Sequence, residues 1–207
     1  RAFQLMTKYG NLEVLKILSD TSVIISEGEV LELKNDKDIK INEDIYFEVI
    51  NGKTASLFSA ACQVGGISGN GSVKEIESLK SFGTNFGMAF QLIDDAIDYC
   101  STNEILGKNI GDDFKEGKVT LPIILAFLRS NNEEKKFWNE TIVNLNQSKN
   151  DLDNAILILK KYNCINDTIE RARHFANVAI DSLGIFDNNK YKKSLMNLIK
   201  ASLNRIH

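Results

Sequence analysis

Between Phe90 and Asp98, the residues Gln91, Asp94, Asp95 and Asp98 stand at i, i+3, i+4 and i+7. On an α-helix this spacing sets all four on one polar stripe, with Phe90, Ile93 and Ile97 on the opposite side. Aspartate is a poor residue for a helix interior, and three so close together repel one another. A divalent cation between the carboxylates would relieve that repulsion. Magnesium favours hard oxygens and is commonly held by one or two carboxylates together with substrate phosphates. The plain alternative is a solvated acidic face, since short acidic patterns recur by chance. The stripe's position at the end of an otherwise apolar helix favours the metal.

Two further segments carry positive charge that a metal-bound phosphate would need. The stretch from Gly107 to Lys118 offers Lys108 and Lys118 at glycine-flanked positions just after the acidic helix, and a lysine acts on phosphate as a point charge. Asp112, Asp113 and Glu116 in the same stretch are equally suited to pairing with its lysines or capping a turn. Upstream, Gly52-Lys53-Thr54-Ala55 places a lysine and a threonine on an otherwise small and apolar helix face. Taken alone, Lys53 reads as a lysine snorkelling from a helix edge. The chain has no GxxxxGK[ST] loop, no GxGxxG after a strand, no GxSxG elbow and no EF-hand loop.

The elements that must position these groups read as helices almost throughout. One proline against 13 glycines in 207 residues suits long helices, and 43% hydrophobic with 26% charged residues suits a globular chain. Arg1 to Tyr9 reads as a helix tail stopped by Gly10. Asn11 caps a helix with Leu15, Leu18, Ser22 and Ile25 on one stripe, and Asn42 starts another that carries Asn51-Gly52 as a local kink or a close approach. Gly65 to Gly71 reads as a loop, and Ser72 with Glu75 as a capping box opening a helix to about Cys100. Glycines 83 and 87, one turn apart, suit either a groove beside that helix or close packing of a second helix. Residues 104–118 read as a loop, followed by helices near 121–130, 133–145, 151–162, 167–183 and 190–206, with Gly184 as a C-cap. The fold class is all-α, a bundle of roughly eight helices in a single helical domain over 1–207.

Composition excludes several functions. The net charge of −3 and the lack of a basic block argue against nucleic-acid binding. Three scattered cysteines and two histidines leave no zinc spacing and fit a reducing, cytoplasmic setting. The longest apolar run, Leu121 to Leu128, is far too short for a transmembrane segment.

Taken together, GKTASLFSAACQVGGI, GMAFQLIDDAIDY and LGKNIGDDFKEGKVTLPIILA resemble the trans-type polyprenyl diphosphate synthases in content, order and spacing. RAFQLMT and EGEVLEL add a likeness to the long-chain bacterial branch, the octaprenyl diphosphate synthases. The resemblance implies an isoprenoid-synthase-type helical bundle, a homodimer, and a prenyltransferase reaction joining isopentenyl diphosphate to an allylic diphosphate with Mg2+. It implies Asp94, Asp95 and Asp98 as the metal-holding aspartate-rich motif. Lys53, Lys108 and Lys118 would surround the allylic diphosphate, and Thr54 and Gln91 would line the pocket near the developing allylic cation.

The family carries a first aspartate-rich motif on a facing helix, upstream of the segment that matches Arg1. The chain is therefore read as the C-terminal two-thirds of a synthase, inactive by itself. The stripe carboxylates, as mutually repelling groups, are expected to be replaceable with little loss of fold. Two alternatives stand beside this. A class I terpene cyclase would need a hydroxyl residue in place of Asp98 and an acid in place of Thr102. A non-catalytic synthase-like partner subunit would fit the missing upstream motif but not the intact DDAID stripe.

Overall fold

The computed structural model describes residues 11–100 and 110–206, together with Gln4 and Lys8. Among the described residues there is no strand, and no helix is long and apolar enough to cross a membrane. The expected helix tail before Gly10 lies almost wholly outside them.

Helix α1 spans Leu12–Lys34 and opens on Asn11, whose side chain accepts from the Val14 amide at 2.8 Å. Its buried line is Val14, Thr21 and Gly28 rather than the expected Leu15, Leu18, Ser22 and Ile25, and Ser22 is exposed. The helix is turned because Gly28 must face Gly52: a Cβ on Gly52 would lie 3.2 Å from Gly28 Cα. Helix α2 (Glu43–Ile50) opens on Asn42, which accepts from the Ile45 amide, and runs into a π turn at Asn51–Ala55. The kink expected at Asn51-Gly52 is this π turn, a feature frequent at functional sites.

Helix α3 (Ser56–Ser68) continues through the glycines expected to form a loop. Gly66 is buried against Ile76 and Leu79, and the chain leaves the helix only at Gly69 and Asn70, where Asn70 turns left-handed with φ 55°. Helix α4 (Val73–Ile97) begins at the expected capping box: Ser72 Oγ accepts from the Glu75 amide and Glu75 Oε2 accepts from the Ser72 amide at 2.7 Å. Phe82 and Ile93 are buried, whereas Leu79, Phe86, Phe90 and Ile97 are half-buried along its edge.

Beyond it, Gly111 and Gly117, at φ 74° and 72°, bracket the short helix α5 (Asp112–Glu116) inside the segment read as loop. Helices α6 (Leu121–Arg129), α7 (Asn132–Trp138, with a π turn to Val143), α8 (Asp151–Lys161), α9 (Cys164–Ser182) and α10 (Lys190–Leu203) complete the order. Gly184 is not a left-handed cap. The chain leaves α9 through a 3-10 turn, Leu183–Ile185, pinned by the buried Leu183.

Helix α4 is the axis of the molecule and packs most extensively on α3 and α9. The two readings of Gly83 and Gly87 resolve in favour of close packing. A Cβ on Gly83 would lie 2.5 Å from Phe58 O, and one on Gly87 2.6 Å from Ala55 Cα. Phe58, Phe86 and Phe90 then form an aromatic wall, with Phe58 5.2 Å and 5.6 Å from the other two ring centroids. Gly87→Ala should therefore destabilise the chain by about 1–3 kcal/mol, because backbone must move. Gly65→Ala, at an exposed helical position with nothing near the new methyl, should stabilise by about 0.5–1 kcal/mol. Urea unfolding followed by circular dichroism checks both signs.

Candidate active site

The expected stripe is divided by depth. Asp95 is 4% exposed and both of its oxygens are met by protein donors. Tyr46 Oη on α2 donates to Oδ2 at 2.5 Å, and Gln91 Nε2, one turn back on α4, donates to Oδ1 at 2.8 Å. Burial pushes the Asp95 carboxyl up to about 7 against the pull of these donors, with Asp113 and Asp94 adding to the rise. Gln91 Oε1 in turn accepts from Thr54 Oγ1 at 2.9 Å. Thr54, Gln91, Asp95 and Tyr46 thus form one bonded row joining the π turn, α4 and α2.

Asp94 and Asp98 flank this row at intermediate depth. Asp94 Oδ1 accepts from Arg205 Nη2 at 2.9 Å, and the Arg205 guanidinium lies 5.2 Å from the Phe90 ring centroid. Asp98 Oδ2 accepts from the Asp113 amide at 3.1 Å, and its carbonyl accepts from the Gly111 amide at 2.8 Å, which docks the start of α5 on the end of α4. Burial, with Asp113 beside it, pushes the Asp98 carboxyl up to about 6. Burial also raises Asp113, against the pull of Lys118.

The lysines take different directions. Lys118 reaches Glu116 at 2.7 Å and Asp113 at 3.3 Å, and the bond to Glu116 holds its ammonium well above the ordinary range. Lys115 pairs with Asp112 at 2.9 Å, so the acidic residues of this segment pair with its own lysines. Lys53 is directed away from the stripe, onto Glu32 and Glu29 of α1, the latter at 3.3 Å. The π turn sends these adjacent side chains, Lys53 and Thr54, to different helices. Lys108 lies outside the described residues.

Two residues enter that sequence reasoning missed. Tyr46 sits on the apolar face of α2 and reads as core; its partner is 49 residues away and no local spacing announces the pair. Arg205 lies in the last turn of the chain and has no motif around it. Among the described residues, no three acidic, histidine or cysteine side chains converge closely enough to hold a metal by themselves. Of the carboxylates here, Asp94 pairs with Arg205 and Asp113 with Lys118, while Asp98 takes backbone amide donation and Asp95 is met by Tyr46 and Gln91. The donor set is hard oxygen with negative charge to spare. It suits a magnesium ion shared with an anionic ligand rather than a closed protein cage.

Residues 1–159 match the polyprenyl synthetase family. The chain belongs to that family. Within it, the chain is 35% identical over 205 residues to the octaprenyl diphosphate synthase of Haemophilus influenzae, covering 99% of this chain and 62% of that protein. It is 37% identical to the all-trans-nonaprenyl-diphosphate synthase (geranyl-diphosphate specific) of Rhodobacter capsulatus, covering 100% and 62%. Among solved structures, a polyprenyl synthase from Caulobacter crescentus complexed with calcium and isoprenyl diphosphate superposes with a TM-score of 0.94 at 38% identity, over 100% of this chain and 63% of that one. The family fold is thus the isoprenoid-synthase helical fold, and this chain spans less than two thirds of these relatives' length.

The geometry also corrects one expectation about the stripe. Asp95 is not replaceable without loss, because its removal strands the buried Tyr46 hydroxyl and the Gln91 amide. Asp95→Ala should cost about 2–3 kcal/mol in urea unfolding. Asp94→Ala removes a partly exposed pair with Arg205 and should cost about 1 kcal/mol or less.

Proposed function

We propose that this chain carries the allylic-diphosphate side of a prenyltransferase that condenses isopentenyl diphosphate with an allylic diphosphate to a long-chain trans-polyprenyl diphosphate. The observation that carries the reading is the Thr54–Gln91–Asp95–Tyr46 row, flanked by Asp94 and Asp98, in a chain of this family. The naming of its relatives as octaprenyl and nonaprenyl synthases supports the long-chain product.

In this reading Asp94 and Asp98 hold Mg2+, and Asp95, sealed in the core, anchors the row beside them. When bound, Mg2+ neutralises the diphosphate as it departs from the allylic carbon. Lys118 exchanges Asp113 and Glu116 for diphosphate oxygens, and its bond to the exposed Glu116 opens at little cost. Lys53, released from Glu29 and Glu32, and Lys108 add further charge. Thr54 and Gln91 face the carbon left behind, and the Phe58, Phe86 and Phe90 wall keeps water from it. The carbon–oxygen bond breaks with its electron pair on the diphosphate. The new carbon–carbon bond takes the double-bond electrons of isopentenyl diphosphate, and loss of a proton restores the alkene.

The reading extends to a homodimer. Along α1, Val23, Val30 and Leu33 are 55%, 64% and 67% exposed, an apolar line that suits a second copy of the chain.

Calorimetric titration of the chain with inorganic pyrophosphate tests the assignment. Binding should require magnesium, fall by at least about tenfold in Asp94→Ala and Asp98→Ala, and weaken in Lys118→Ala, where a charge-assisted bond is lost. Among the described residues only one carboxylate stripe is present, and the diphosphate needs charge from two sides. Incorporation of radiolabelled isopentenyl diphosphate by this chain alone is therefore expected to be absent. Pyrophosphate binding that ignores magnesium and both aspartate variants would overturn the site.

A further inference from the structure

The Thr54–Gln91–Asp95–Tyr46 row has a direction, and that direction decides what Thr54 can offer a ligand. Asp95 takes the Tyr46 hydroxyl on Oδ2 and the Gln91 amino group on Oδ1. With its amino end committed to Asp95, Gln91 must turn its carbonyl end to Thr54, and Thr54 Oγ1 donates to it at 2.9 Å. A hydroxyl has one hydrogen and two lone pairs. Thr54 has spent the hydrogen, so only lone pairs are left for anything bound beside it.

The orienting half of the row is out of a ligand's reach and the presenting half is not. Tyr46 and Asp95 are 3% and 4% exposed, while Thr54 and Gln91 are half-buried. The Tyr46 ring packs edge-on against Phe47, with centroids 5.6 Å apart, and its hydroxyl is 2.5 Å from Asp95 Oδ2. Without that hydroxyl the carboxylate keeps one fixed donor instead of two and is free to rotate. Gln91 can then flip end for end, and Thr54 can turn its hydrogen outward.

We propose that Tyr46 is a positioning residue which, through Asp95 and Gln91, fixes Thr54 as an acceptor-only hydroxyl, so that the space beside Thr54 selects an electron-poor ligand atom over a phosphate oxygen. This rests on the prenyl-transfer reading, in which that atom is the allylic carbon as its bond to the diphosphate oxygen breaks. The lone pairs attract the carbon and repel phosphate, which is left to the magnesium and lysine side. No local signal in the sequence gives Tyr46 this part.

The test compares two ligands of the same shape by calorimetry with magnesium at pH 8. One is 2-(dimethylamino)ethyl diphosphate, whose protonated nitrogen takes the place of the third carbon, where the allylic cation shares its positive charge; the other is isopentyl diphosphate, whose tail carries no charge. The wild-type chain should favour the ammonium ligand roughly tenfold. Tyr46→Phe should bring the ratio near one while leaving magnesium-dependent pyrophosphate binding in place; Thr54→Val should also bring the ratio near one, and Thr54→Ser should restore it. In the unliganded chain, the Gln91 side-chain amide should show one locked orientation by nuclear magnetic resonance, lost in Tyr46→Phe. A preference retained in both Tyr46→Phe and Thr54→Val, or a Gln91 amide that stays locked without the Tyr46 hydroxyl, overturns the proposal. Wild-type chain that binds no pyrophosphate, with the Gln91 amide still unlocked by Tyr46→Phe, overturns the prenyl-transfer reading and leaves the row's direction standing.

Discussion

A carboxylate sealed in a helical core is tolerable only when its oxygens are met by donors, and Asp95 imposes that demand on the helices around it. Gln91, one turn back on the same helix, supplies one donor. The other has to come from elsewhere in the chain, and Tyr46 supplies it from α2. Helix α2 must therefore lie alongside α4 at a depth where a tyrosine hydroxyl reaches the carboxylate. The short turn at residues 35–41, with Ile39 and Ile41 buried in the same core, returns the chain from α1 to that position. The π turn after α2 then begins where α2 is already fixed.

The same frame explains why two neighbouring glycines on α4 are needed. Thr54 can bond Gln91 only if the π turn and the start of α3 approach α4 more closely than side chains normally allow. Gly83 and Gly87 provide that approach, since added methyl groups would meet Phe58 and Ala55 backbone. Packing and chemistry are thus one constraint here. The contact that buries Ala55 also sets the reach of the residue before it.

Much of this was legible in the sequence because it is local. The caps at Asn11, Asn42 and Ser72, the break at Asn51-Gly52 and the polar stripe on α4 all follow from spacings of a few residues. What failed depended on partners far along the chain. The buried line of α1 is rotated by the need to put Gly28 on Gly52. The glycines at 65 and 66 stay helical because Gly66 packs on Ile76 and Leu79. The stripe itself was read as three equivalent carboxylates, yet adjacent helical positions cannot share one depth. Asp95 turns inward to Tyr46, and Asp94 and Asp98 remain at the flank. That distinction is made by Tyr46, 49 residues away.

The cations of the site are held on different terms from the row. Arg205 comes from the last turn of the chain and meets Asp94, and Lys118 follows α5 and meets Asp113; neither meets Asp95. The Lys118 and Asp113 side chains are 49% and 19% exposed, so solvent compensates much of what is lost when the pair opens. The Asp95 bonds have little such compensation, because Tyr46 and Asp95 are 3% and 4% exposed. Charge can consequently be exchanged at the flank while the row stays intact. A site that must take up an anionic ligand with its metal and then release it benefits from that separation: Tyr46 and Asp95, which orient, are buried and fixed, and Lys118, which neutralises, is half-exposed and replaceable.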